Sequence, residues 1–260
     1  MKKVLTIAGS DSSGGAGIQA DIKTMTMHGV YAMSAITALT AQNTTGVRSI
    51  YPVSADFLKQ QIDAVFEDIR PDAVKIGMIS TPEQAEVIAE RLIFYKAQNI
   101  VTDPVAVSTS GTELSTSETY SILKNKIFPI SDLITPNIPE AELISGKKIN
   151  TQEDMVKISE CISKMYKCSV LCKGGHLKDS ADDFLLSEGR GVWFKGQRLA
   201  TGELHGTGCT LSSAIASNLA KGHSLEKSIQ HAKKYISDCI DIASDTGHGC
   251  KPLNHMKGVF

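Results

Sequence analysis

An excess of charge of either sign, long apolar runs and paired cysteines are all missing from this chain. Lys and Arg number 27 against 28 for Asp and Glu, a net charge of −1. No basic cluster is interleaved with aromatics, so nothing argues for a nucleic-acid surface. No apolar stretch is long enough to span a membrane. The opening Met1-Lys2-Lys3-Val4-Leu5-Thr6 turns polar too soon for a secretory signal, so a cytoplasmic protein is expected. Six cysteines, at 161, 168, 172, 209, 239 and 250, form no Cys-x-x-Cys pair. Zinc and a disulfide framework are therefore not expected, and most of these thiols read as buried or incidental. No linker, repeat or low-complexity segment divides the 260 residues, and that length suits one large domain with its own core.

What is present is a repeated alternation. Val4-Leu5-Thr6-Ile7-Ala8, the stretch from Ala32 to Leu39, Ala73-Val74-Lys75-Ile76-Gly77, Asn99 to Asp103, Asp132 to Thr135 and Ser169 to Cys172 read as short strands. Helical stretches separate them, among them roughly Ala16 to His28. Another follows Ser54, an N-cap ahead of Phe57, Ile62, Phe66 and Ile69, and a third starts near Pro82. Such alternation indicates βαβ units, a mainly parallel sheet and helices on both of its faces. Between Asp183 and Thr201 the pattern changes to short strands with Gly189, Gly191 and Gly196 as turns, an antiparallel edge. In open α/β sheets ligands bind beyond the carboxyl ends of the strands. Asp11, Asp103, Asn137 and Lys173 each fall at such an end.

The run His205-Gly206-Thr207-Gly208-Cys209-Thr210-Leu211 has the layout of a tight turn opening a helix, with Leu211, Ile215 and Leu219 at helical spacing. Its free N–H groups and the helix dipole favour an anion, and a first-turn thiol there is expected to have a lowered pKa. That reading suggests transfer of a phosphate group; the competing one is an ordinary glycine turn with Cys209 as a small core residue. The first loop, Gly9 to Gly17, has the glycine spacing of a P-loop, but Gly15 stands where the lysine is required. Gly15-Ala16-Gly17-Ile18-Gln19-Ala20 matches a dinucleotide fingerprint, yet Ile36 to Ser49 holds no acidic residue for a ribose. The loop reads better as backbone approaching a small ligand, with Asp21 on the helix behind it.

Gln42 offers a donor and an acceptor side by side, which complements the ring nitrogen and exocyclic amine of an aminopyrimidine. Satisfying a loop backbone is its other reading. Asn137 is a natural N-cap with Glu140 at capping-box spacing. Alternatively, Asn137 lies near nucleotide phosphates and Glu140 organises Mg²⁺ through water. Lys173, beside Gly174 and Gly175, is placed to neutralise phosphate charge, although a solvated lysine is the usual case. His176 and His205 lack metal-ligand spacing and are read as loop residues.

Taken in order, several of these segments are similar to one family. They are Ala8 to Asp21, Thr40-Ala41-Gln42-Asn43-Thr44, Lys75-Ile76-Gly77-Met78, Thr135-Pro136-Asn137, Lys173-Gly174-Gly175-His176 and His205 to Thr210. Together they resemble the hydroxymethylpyrimidine/phosphomethylpyrimidine kinases of thiamine synthesis, in the ribokinase-like superfamily. The resemblance implies a three-layer α/β/α sandwich with a mainly parallel sheet, one kinase domain over 1–260 and a homodimer. It implies ATP- and Mg²⁺-dependent phosphorylation of 4-amino-5-hydroxymethyl-2-methylpyrimidine, and then of its monophosphate. Gln42 would read the pyrimidine, with Gly9, Asp21, Met78 and Val107 lining its pocket. Asn137, Glu140, Lys173 and Asp103 would serve ATP, with no protein atom bound directly to the metal. Gly206, Thr207, Gly208 and Cys209 would hold the transferred phosphoryl group, Cys209 acting as base. Pyridoxal kinases of the same branch are the rival reading, since they share the anion-binding turn without requiring glutamine at position 42. A ligand sensor that had lost catalysis is disfavoured by the presence of both Cys209 and Lys173.

Overall fold

The computed structural model describes residues 1–105, 116–175, 181–196, 204–241 and 246–256. Strand β1 (Lys3–Asp11) leads into α1 (Gly17–Met27), then β2 (Tyr31–Asn43) and β3 (Gly46–Pro52). Helices and strands then alternate: α2 (Ala55–Asp68), β4 (Ala73–Ile76), α3 (Pro82–Phe94), β5 (Ile100–Thr102) and α4 (Ser117–Ile122). The series continues with β6 (Leu133–Ile134), α5 (Ile138–Ser145), α6 (Gln152–Tyr166) and β7 (Ser169–Cys172). Last come β8 (Asp183–Ser187), β9 (Arg190–Phe194), β10 (Leu204–His205), α7 (Thr207–Ala220), α8 (Leu225–Asp241) and β11 (Lys251–Pro252).

Nine strands make one sheet in the order β3-β2-β1-β4-β5-β6-β7-β8-β9. From β2 through β7 every neighbouring pair is parallel. Residue parity along the strands sets the layers, because successive side chains leave opposite faces. Leu5, Ile7, Val74 and Ile76 join α2 to α6 in one core, whereas Val4, Ala73, Val101 and Leu133 join α1, α7 and α8 in the other. The expected three-layer sandwich is the result. Local chemistry agrees with it: Ser54 and Thr81 cap α2 and α3, and Asn137 and Thr151 form full capping boxes.

Two features differ from the sequence reading. The sheet is antiparallel at both ends, because β2 runs on to Asn43 and turns back through β3. β3 carries little apolar burial, being half exposed along its length, so it leaves no hydrophobic pattern to detect. Gly191 is not a turn: it lies within β9, where a Cβ would stand 2.7 Å from Phe184 Cζ. That strand passes over a phenyl ring already paired with Trp193.

Helix α7 is rich in small buried residues, including Ser212, Ser213, Ala214, Ala216 and Ser217, set between Leu211 and Ile215. Such residues let it lie close over β1, β4 and β5. Two of its buried hydroxyls are satisfied within the helix, Ser212 donating to the Gly208 carbonyl and Ser217 to that of Ser213. Two others pair outside it: Thr210 Oγ1 lies 2.9 Å from His255 Nε2, and the Ser213 hydroxyl donates to Asp21 Oδ1 at 2.7 Å.

Asp21 is itself fully buried and also accepts from Thr6 Oγ1 at 2.6 Å and from Lys75 Nζ at 2.8 and 3.0 Å. Burial alone would lower the pKa of Lys75, but Asp21, Cys209 and Asp103 outweigh it and hold the ammonium above its usual value. β1, β4, α1 and α7 are thus joined by one charged knot under the carboxyl ends of the strands. Lys75→Met is expected to cost about 3–5 kcal/mol, since it strands a buried carboxylate. Combining it with Asp21→Asn should cost clearly less than the sum of the two single changes. Urea denaturation of the three variants checks this, and strict additivity would show an uncoupled pair.

Candidate active site

At the carboxyl ends of the strands, where the order reverses between β1 and β4, a cavity of about 880 Å³ opens. This is the position at which an open α/β sheet leaves room for a ligand. The first wall is the glycine loop after β1, organised by Asp11. Its Oδ1 accepts from the Ser13 N–H at 2.8 Å and the Ser13 hydroxyl at 2.7 Å. Its Oδ2 accepts from the N–H groups of Gly15 (3.1 Å) and Ala16 (2.8 Å) and lies 2.9 Å from His205 Nε2. Burial alone would raise the pKa of Asp11, but the hydrogen bonds from His205, Ser13 and Ala16 prevail and bring it to about 2.

The second wall is the turn into α7. Gly206, its N-cap, has φ +88°, and a Cβ there would stand 1.9 Å from the Gly15 carbonyl oxygen. The two glycine loops therefore touch, backbone to backbone. No side chain caps α7, and its ladder begins with the Thr210 N–H donating to the Gly206 carbonyl. The N–H groups ahead of Thr210 have no carbonyl within the helix to meet. Gly206, Thr207, Gly208 and Cys209 all line the cavity. Gly208 is pressed so close that a Cβ would lie 2.9 Å from Asp103 Oδ2 and 3.5 Å from Lys173 Nζ.

Cys209 corrects one expectation. Its thiol is not acidified: burial pushes it up to about 11. Lys75 and the Gly17 N–H favour the thiolate, and Asp21 and Asp103 oppose it. Desolvation outweighs the field of the helix start.

Across the cavity, Lys173 Nζ stands 3.0 Å from Asp103 Oδ1, which also accepts from Thr135 Oγ1 at 3.1 Å. Asp103 and Glu140 together hold Lys173 protonated well above its usual range, against the effect of burial. The capping box is present: Asn137 Oδ1 accepts from the Glu140 N–H at 2.9 Å and Glu140 Oε2 from the Asn137 N–H at 2.8 Å. Burial raises the Glu140 carboxyl most and Asp103 adds to the rise, while Lys173 and the Asn137 N–H oppose it; the net is about 7. Asn137, Glu140, Asp103 and Lys173 all border the same space, so the N-cap and ligand-side readings of Asn137 coexist.

Gln42, Gly9 and Met78 line the end of the cavity beside His205. A Cβ on Gly9 would stand 3.0 Å from the Met78 sulfur, so the glycine admits the thioether against β1. Asp21 does not line the cavity, contrary to the resemblance; it is consumed by the Lys75 knot behind Cys209. Val107 lies outside the described residues, as does His176. His205, read from sequence as a loop residue, is in fact buried between Asp11 and Gln42. Its place directly before the Gly206 turn was the one available hint. A further pair, Asp183 and Lys233, also borders the cavity. No sequence pattern links two residues fifty positions apart.

The phosphomethylpyrimidine kinase family model matches residues 11–254. The hydroxymethylpyrimidine/phosphomethylpyrimidine kinase of Bacillus subtilis is 41% identical over 256 residues, covering 98% of this chain and 94% of that one. The thiamine biosynthesis bifunctional protein ThiED of Geobacter sulfurreducens is 46% identical over 256 residues; the match covers 97% of this chain but only 52% of that longer protein. Among solved structures, an ADP complex of Bacillus subtilis pyridoxal kinase superposes with a TM-score of 0.91 at 34% identity, covering 98% of each chain. Fold, glycine loops and sequence agree, and the chain belongs to the phosphomethylpyrimidine kinase family.

Proposed function

We propose that this cavity phosphorylates 4-amino-5-hydroxymethyl-2-methylpyrimidine with ATP, and then phosphorylates the monophosphate, the two activities for which relatives of this family are named. One observation carries the reading: the Gln42 carboxamide and the Gly206–Cys209 turn face the same cavity. An aminopyrimidine read by Gln42, with Gly9 and Met78 beside its ring, can thus extend its hydroxymethyl group towards the amides of the turn. The ADP bound by the pyridoxal kinase of the same fold supports a nucleotide here. The reading extends to a single domain over 1–260, acting as a cytoplasmic homodimer.

Phosphoryl transfer asks mainly for alignment and for donors around the equatorial oxygens. The unpaired amides of the α7 start and the Lys173 ammonium supply both. Asp103 and Glu140 outnumber the one lysine between them, a carboxylate balance that fits a hydrated divalent cation. Mg²⁺ held there through water would screen the charges of the triphosphate. In the first step the hydroxymethyl oxygen attacks the terminal phosphorus of ATP, ADP leaves, and the hydroxyl proton passes to the thiolate form of Cys209, which becomes the thiol. In the second step the nucleophile is a phosphate oxygen, already largely ionised at neutral pH because its second pKa is near 6.

ADP release with the pyrimidine, pyridoxal and ribose in parallel tests the assignment: turnover is expected to be greatest with the pyrimidine. Turnover greater with pyridoxal would transfer it to the pyridoxal kinases. A thiol near 11 makes a second expectation specific to the first step. In single-turnover assays that step should accelerate up to tenfold per pH unit as the thiolate grows between pH 7 and 9, while the second stays nearly flat. Cys209→Ala should slow the first step on the order of 100-fold or more and abolish its slope, with a much smaller effect on the second. Equal losses in the two steps would remove the thiol from the chemistry.

A further inference from the structure

The hairpin that carries Gln42 has little packing of its own to fix it. β3 is half exposed along its length, and a bulge interrupts the β2–β3 register between Ala41 and Gln42. A bulge re-aims a side chain and loses ladder hydrogen bonds. On one side Ser12 makes up the loss: its hydroxyl donates to the Gln42 carbonyl at 2.7 Å and accepts from the Gln42 N–H at 2.9 Å. On the other side the hairpin tip is held by a segment about two hundred residues further along the chain. Thr44 Oγ1 accepts from the N–H groups of His248 and Gly249, both at 3.2 Å, and the Thr44 carbonyl accepts from that of Cys250 at 2.9 Å. The fit needs glycine twice. A Cβ on Gly247, where φ is +84°, would stand 2.3 Å from Thr44 Oγ1, and one on Gly249 would stand 2.0 Å from the Thr44 carbonyl oxygen.

The same segment then reaches the phosphoryl-binding turn. β11 lies parallel to β10, with Pro252 opposite His205, the residue before Gly206. Three residues on, the buried His255 places Nε2 2.9 Å from Thr210 Oγ1, in the first turn of α7 and next to Cys209. Helix α8 supports it from behind, the Tyr235 hydroxyl donating to the His255 carbonyl at 3.0 Å. Burial, with a smaller effect from Lys23, lowers the imidazole to about 4, so the contact keeps one charge state at neutral pH.

We propose that Thr44 and His255 are positioning residues at the two ends of one clasp, 247–255, which sets the separation between the pyrimidine pocket and the phosphoryl-binding turn. The inference rests on the proposed function. Neither residue borders the cavity, so each acts through neighbours that do: Gln42 is two residues from Thr44, and Cys209 adjoins Thr210. Transfer needs the hydroxymethyl oxygen in line with the terminal phosphorus at near contact, and a displacement of about 1 Å can cost about 100-fold in rate. Slack at either end of the clasp moves one reactant away from the other. Contacts in series are broken by the loss of any one link, so a second loss adds little. Two independent local roles would instead give losses that multiply.

The test is the single-turnover rate constant of the first phosphorylation, with enzyme in excess over the pyrimidine and ATP saturating. Such a rate constant does not fall merely because part of the protein is unfolded. Thr44→Val keeps the shape and removes the hydroxyl acceptor; it should slow transfer about tenfold or more, while half-saturating ATP moves by less than about twofold. Thr44→Ser, which keeps the hydroxyl, should retain most of the rate. His255→Phe should give the same pattern, because Thr210 can turn its hydroxyl to the Gly206 carbonyl and the helix itself survives. The double variant Thr44→Val with His255→Phe should be little slower than the slower single one. Losses that multiply, a matching loss of ATP affinity, or either single variant at the wild-type rate overturns the inference while the kinase assignment stands. A wild type that leaves the pyrimidine unphosphorylated overturns that assignment itself. If His255→Phe does not fold, Tyr235→Phe, which releases the His255 carbonyl, takes its place in the cycle with the same outcomes.

Discussion

One carboxylate organises the site. Asp11 accepts from the loop that carries it and from an imidazole 194 residues further along the chain, so the first glycine loop and the turn into α7 are registered against each other by a single side chain. Neither loop has enough side-chain bulk to fix itself, and the contact of Gly206 with the Gly15 carbonyl leaves no volume for a Cβ between them. Hydrogen bonds to an ionised acceptor are shorter and stronger than neutral ones, and five of them converge here. The pocket for the acceptor and the cradle for the transferred group therefore share a wall.

Beneath that wall lies a second buried charge system, Asp21 with Lys75, in contact with α1, α7 and two strands. It belongs to the scaffold, yet it acts on chemistry because Lys75 bears electrostatically on Cys209. The thiol stays neutral at rest through the balance of burial, one ammonium and two carboxylates. Any charge arriving in the cavity enters that balance. Structural and chemical ion pairs are thus stacked one behind the other at the ends of β1 and β4.

Much of this is legible in the sequence. The alternation of strands and helices, the Ser54 and Asn137 caps and the two glycine loops are local patterns, and local patterns survive in sequence. What was not legible depends on distance or on dielectric. His205 acquires its role from Asp11 and Gln42, neither near it in the chain. Asp21 looked like a pocket residue from its motif, but its carboxylate points into the packing of α7. The acidity of Cys209 was misjudged because a helix start is visible in sequence and desolvation is not. β3 escaped notice because an exposed edge strand needs no hydrophobic alternation.

The makeup of α7 has an evolutionary corollary. Helix α7 meets the sheet largely through small residues such as Ala214 and Ala216, with only Leu211 and Ile215 as larger side chains in that core, so its starting turn has little room to migrate by gradual resizing. The end of the site that handles the phosphoryl group is consequently frozen by backbone thickness. Divergence in the choice of alcohol must be written on the opposite bank, in the residues around β2 and its hairpin, where side chains have length to spare.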